Sequence, residues 1–209
     1  MLTETPSPRG LAAELRELGR PLAGRWALVH ETFLRRVEQP EFRAQLRNFV
    51  AGLPAGEIAA RSRETTTHFA WCLFDEPDAD FSLWLHEYKP QHDWRRGYAD
   101  SVHNHRYHFS SYMLHGSYLQ EHYDARVSPE SGLITAVAAR GRATCPTGSS
   151  TMMLAADFHR IVTAEDDTMT FLVKSRPVTA WSLSYDVDHG STHRHVPVEN
   201  RLGEMSARI

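Results

Sequence analysis

After about residue 67 the chain breaks into short apolar or aromatic runs, separated by glycine, proline, aspartate and serine. They read FSLWLHEY (81–88), SSYMLHGSYLQEHY (110–123), GLITAVAAR (132–140), STMMLAA (150–156), TMTFLVK (168–174) and TAWSLSYDV (179–187). Several alternate in character, the period of a strand with one face inward. Many short strands with turn residues between them point to an all-β sandwich or barrel. No internal repeat and no low-complexity segment interrupts the pattern.

The first third has a different texture. Leu11, Leu15 and Leu18 recur at helical spacing, and Trp26, Val29, Phe33, Leu34 and Val37 form a second amphipathic run. Pro40 followed by Phe42, Leu46, Phe49 and Val50 predicts a third helix with the proline near its first turn. Gly52 and Pro54 then punctuate the chain. The expected organisation is a helical N-terminal extension over 1–65, a β-barrel over 66–188 and a polar C-terminal tail over 189–209.

A chain of 209 residues can bury a core without staples, and its two cysteines, Cys72 and Cys145, lie far apart with no metal-type spacing. A disulfide framework is therefore not expected, and the cytoplasm is the expected compartment. The net charge of −3 points to neither nucleic acid nor an anionic membrane as partner. No apolar run reaches the ~20 residues of a membrane span. The opening MLTETPSPRG has no basic and no apolar region of the kind a secretory signal carries.

The chemistry concentrates in SVHNHRYHFSSYMLHGSYLQEHYD, residues 101–124, which holds His103, His105, His108, His115 and His122. Imidazole is the commonest protein metal ligand. His103 and His105 stand two apart, so on a strand both rings point to the same face and can share one ion. Two ligands are too few for most catalytic metal sites, and His159, in AADFHRIV, is the best candidate for a third from another strand.

At these residues the chain resembles the cupins. The first cupin motif is matched by Gly97, YADSV, His103-Asn104-His105, RYH, Phe109, SSYMLH and Gly116; the second by Gly148, SSTMM, Leu154-Ala155-Ala156, Asp157-Phe158, His159, RIV and Thr163. The resemblance covers roughly residues 80–187 and implies a jelly-roll β-barrel with metal on His103, His105 and His159. Phe109 stands where the family has its metal-binding glutamate, so three neutral imidazoles would leave the ion's charge uncompensated. Such a site resembles those of the thiol dioxygenase branch, as do His159–Val162 and the later WSLSYD. The implied activity is that of a mononuclear non-haem iron(II) oxygenase, acting with O₂ on a small polar molecule with an anionic or thiol group. A lyase, isomerase or hydrolase on zinc, nickel or manganese is the alternative within enzymes, since imidazole suits all these metals. A binding cupin without turnover is the alternative outside them.

Around the triad, Tyr185 and Tyr107 are the expected catalytic phenols, ahead of Tyr112 and Tyr123. His86, Phe109, Arg95 and Arg96 are the expected substrate contacts, the arginines as a carboxylate clamp. Counting in twos places His108 outward and His115 inward. Cys145 reads as a structural thiol, and His189, His193 and His195 as part of the tail. A homodimer is expected, and a monomeric mass in light scattering would refute it.

Overall fold

The computed structural model describes residues 7–197, 202 and 205–208. Four helices come first: α1 (Pro8–Glu17), α2 (Trp26–Val37), α3 (Phe42–Ala51) and α4 (Ala55–Arg61). Helix α1 begins where Pro8 enters the first turn and the Ser7 side chain accepts a bond from the Gly10 amide, 3.1 Å. In α2, Trp26, Val29, Phe33 and Val37 recur at three- and four-residue steps, and all four are buried.

Twelve strands follow among the described residues: β1 (Arg63–Glu64), β2 (His68–Phe74), β3 (Phe81–Tyr88), β4 (Val102–His103), β5 (Phe109–His115), β6 (Ser117–Val127), β7 (Ile134–Pro146), β8 (Ser150–Met153), β9 (Phe158–Ala164), β10 (Met169–Ser175), β11 (Ser182–Asp186) and β12 (Ser191–His195). They form two six-stranded antiparallel sheets, ordered β1-β2-β3-β10-β5-β8 and β12-β11-β4-β9-β6-β7. From β3 to β11 the chain passes back and forth between the sheets, apart from the β6–β7 hairpin. That is the double-sheet jelly roll, and the expected mainly-β barrel with an N-terminal helical region holds.

The first sheet is buried on both faces. Leu83, Leu85, Phe171 and Val173 point outward into one core with Leu11, Leu15, Val29, Phe33 and Phe42 of the helices. The alternate residues Trp84 and Leu172 belong to a separate core inside the barrel, with Phe109 and Met153. Being covered twice explains why FLV in β10 is an unbroken apolar run. The N-terminal helices are thus a layer against the back of the barrel.

Two turns carry motif glycines. Gly116, between β5 and β6, has φ +71°, and a Cβ there would collide with Thr168. Gly148 also takes a left-handed conformation, φ +88°, just before β8.

The expected tail boundary is corrected. Residues 191–195 form β12 and pair along the whole of β11, extending the second sheet. The sequence STHRH is polar because both its faces are largely solvated at the sheet edge, so no apolar alternation betrays it. No helix is long and apolar enough to cross a membrane among the described residues.

Candidate metal centre

Three imidazoles meet between the sheets. His103 ends β4, His159 lies opposite it in β9, and His105 follows β4 in the loop toward β5. Their ligand atoms all lie within 4.8 Å of one another, and the Nε2 atoms of His105 and His159 are 2.9 Å apart. Burial holds all three below the usual histidine range, His103 at about 4. Neutral rings with converging lone pairs are the form that coordinates a metal.

Two of the rings are oriented from behind. His103 Nδ1 is 2.8 Å from the Ser101 carbonyl oxygen, to which it donates, leaving Nε2 free to coordinate. His159 Nδ1 is 3.0 Å from the amide of Gln120, a residue only 1% exposed. The Gln120 atom placed there is Nε2; with His159 Nε2 coordinating, Nδ1 carries the proton, and the amide, rotated end for end, accepts it through Oε1. Gln120→Leu is expected to weaken metal binding roughly 10- to 100-fold, as loss of such a support does elsewhere. Competition against a coloured chelator measures it, and unchanged affinity would remove Gln120 from the site.

No carboxylate joins the group among the described residues. The Phe109 ring stands edge-on to His105 instead, with centroids 5.0 Å apart. Tyr107 stacks on the other side of His105, at 5.3 Å. The donor set therefore fits a divalent metal that three imidazoles would hold, two of which, His103 and His105, also line a cavity.

That cavity has a volume of about 360 Å³, and reaches from His103 and His105 past Tyr107 to His86, His68 and Lys174. Arg63 and Arg106 also line it, and no aspartate or glutamate does among the described residues. His68 and His86 stack at 4.3 Å. Burial, with Lys174 and Arg63 nearby, holds His68 down at about 3. A histidine kept neutral in the fold takes up a proton near 6.5 when unfolded, so the unfolded state binds more protons between those values. Stability is therefore expected to fall as pH drops from 6.5 toward 3, by up to about 1.4 kcal/mol per pH unit from this residue. Urea midpoints of the wild type and His68→Phe between pH 5 and 6.5 test this; equal slopes would refute it.

Several expected site residues lie elsewhere. Tyr185 pairs with Val102 and faces the outer cluster of Ile134, Phe158 and Leu183, while Ser184, opposite His103, faces inward. A place late in the barrel does not fix which face a residue takes, and Tyr98 and Tyr107 line the cavity instead. Arg95 and Arg96 are exposed on the loop, Arg95 bonded to Glu64 at 2.9 Å and Arg96 near Asp188 at 3.7 Å. Neither lines the cavity, whose arginines are Arg63 and Arg106. His115 is exposed on the outside because a register shift in the β5–β10 pairing skips a residue after Met113. It borders an apolar groove of about 820 Å³ between α3, α4 and the back of the first sheet, remote from the triad.

His86, Tyr107 and Phe109 line an inner pocket together with His103 and His105. His108 instead packs on Trp26 and accepts a bond from the Ala155 amide, 2.8 Å. His195 is not a tail residue: it bonds Ser184 at 2.7 Å and packs on Tyr98. Both cysteines are free thiols.

Sequence reasoning missed Lys174, His68, Gln120 and Tyr98. A signal for Lys174 was present, since it and Lys89 are the only lysines and it sits in TMTFLVKS, where a solvated lysine is out of place.

No protein-family model matches the chain, and no curated protein does. Among solved structures it is similar to a single-site variant of oxalate decarboxylase from Bacillus subtilis at 16% identity and a TM-score of 0.39, covering 56% of this chain and 28% of that one. It is similar to KdgF from Halomonas sp. at 15% identity and a TM-score of 0.37, covering 55% of this chain and 85% of that one. The DMSP lyase DddQ from Ruegeria pomeroyi DSS-3 gives 11% identity and a TM-score of 0.38, covering 58% of each chain. All three are cupins.

Proposed function

We propose that the protein is a metal-dependent enzyme that acts on a small anionic molecule, and specifically a mononuclear non-haem iron(II) oxygenase. The observation that carries this reading is the group of three neutral imidazoles, two buried and His105 half-buried, with no carboxylate among the described residues, beside a cavity lined by His103, His105, Lys174, Arg63 and Arg106. A divalent ion held by neutral ligands keeps its full charge, and buried charge needs a counter-charge. With no acidic side chain in the cavity, the substrate is the natural source.

His103, His105 and His159 would hold the ion, which supplies Lewis acidity and, as iron(II), electrons for O₂. The protein's own part is positional. Ser101 and Gln120 fix two of the rings. Phe109 and Tyr107 wall the centre against water. The Tyr98 hydroxyl, bonded to the Asn104 carbonyl oxygen, ties the mouth of the cavity to the His103–His105 segment. Tyr107 is the phenol placed to give or accept a proton beside the ion, since its ring lies against His105.

The test is elemental analysis of protein purified without added metal or chelator, with oxygen uptake measured after iron(II) reconstitution. About one iron per chain and substrate-dependent oxygen uptake supports the oxygenase. One zinc, nickel or manganese without oxygen uptake replaces it with a lyase, isomerase or hydrolase. No metal after reconstitution refutes both.

A further inference from the structure

Lys174 is a buried amine with no acidic partner among the described residues, whereas the other buried lysine and arginine side chains there are paired. Lys89, the other lysine, is also buried but is bonded to Glu64. Arg36 is held by Glu14 at 2.5 Å. Lys174 is 3% exposed, and its Nζ lies 2.9 Å from His86 Nε2 and 4.3 Å from the centre of the Trp84 ring. The Tyr107 ring, which stacks on His105, lies 5.3 Å away on the metal side. Apolar packing alone would place a leucine or methionine here, as at Leu172 two residues earlier on the same face.

We propose that Lys174 anchors the distal acidic group of a two-headed substrate, a small acid whose other end takes an open position on the metal. This rests on the metal-centre reading above and adds the substrate's class to it. The ammonium supplies three donors and no acceptor, so it matches a carboxylate or comparable oxyanion. Arg63 also lies over the Trp84 ring, at 5.1 Å, and lines the same cavity, adding to the field that draws an anion inward.

The groups facing the amine are Arg63 from β1, His68 and Cys72 from β2, Trp84 and His86 from β3, and Tyr107 with His105 from the segment before β5. None is a carboxylate, and burial with Arg63 nearby holds Lys174 well below its usual range. An entering anion reverses that balance and favours the ammonium. Binding should therefore be accompanied by proton uptake at pH values above the lowered range of the free amine.

The experiment is calorimetric titration of the metal-loaded protein with malonate, succinate and glutarate, with acetate as the one-headed control, in two buffers of different ionisation enthalpy. At least one diacid is expected to bind roughly 10- to 100-fold more tightly than acetate, the worth of one charge-assisted contact, with proton uptake. Lys174→Met should remove the preference while metal per chain stays unchanged and the melting midpoint stays equal or rises. Lys174→Arg should keep a preference for diacids without proton uptake. A diacid preference that survives in Lys174→Met, or none in the wild type, overturns the proposal. If the wild type takes up no metal, the metal reading fails separately. The same titration of metal-free wild type and Lys174→Met then decides the anchor: diacid binding lost with Lys174 upholds it, and equal binding overturns it.

Discussion

His159→Ala is expected to lose stoichiometric metal binding and keep its fold. The ring supplies one of three nitrogens, and no fourth histidine, cysteine or carboxylate joins the group among the described residues to replace it. Loss of a group that merely supports a ligand costs roughly 10- to 100-fold in metal affinity, so loss of the ligand itself should exceed that. The fold should survive because the large apolar core of the helices and first sheet lies on the far side of that sheet. Gln120, left with only its weak sulfur contacts to Met153 and Cys145, should cost about 1–3 kcal/mol, part of it recovered by removing a buried imidazole. Elemental analysis with circular dichroism checks both halves. Full metal content in His159→Ala, and likewise in His105→Ala, would show that the triad is not the site.

The largest effect on stability is expected at Phe171, and Phe171→Ala should cost about 3–5 kcal/mol. Its ring is fully buried and stacked on Phe33 at 5.7 Å, with Phe42 at 5.4 Å. It is the point where α2 and α3 meet the centre of the first sheet, so its removal leaves a void that neither layer can close. Domains are stable by about 5–15 kcal/mol in all, so such a loss is a large fraction of the whole. Chemical denaturation measures it, with Leu28→Ala as control: Leu28 is 43% exposed and should shift stability by less than about 0.5 kcal/mol. A cost below about 1 kcal/mol at Phe171 would mean that the helical layer is only loosely held. At temperatures where Phe171→Ala remains folded, its metal content should match wild type, because Phe171 packs in the outer core while its neighbours Leu172 and Thr170 line the inner pocket beside His103 and His105.

Where local spacing decides a side chain's direction, the residues could be read directly. His103 ends β4 and faces the site, and Gly116 does take the left-handed turn that its position requires; His105, expected on the same strand, reaches the site from the loop after β4 instead. His86 on β3 and Phe109 at the start of β5 both face the inner pocket beside His103 and His105. Alternation failed wherever the pairing shifts. The bulge opposite Met169 turned His115 outward. Tyr185 is a different case: its place late in the barrel does not decide a face, and β11, paired without a shift, presents Ser184 to His103. Loop residues carry no period at all, which is why Arg95 and Arg96 were expected inside and lie in solvent.

The sequence by itself determined the jelly-roll class, the helical first third and the three imidazoles, because hydrophobic period, turn residues and ligand spacing are local properties of the chain. The tertiary structure alone decided that the helices back the barrel, that residues 191–195 complete a sheet, and that Lys174, His68 and His86 face the same cavity as the triad. Lys174 lies far beyond His105 in the chain and on the opposite sheet. Only the packing of one sheet against the other brings such residues together, and that packing is set by the summed fit of both inner faces rather than by any single run of residues.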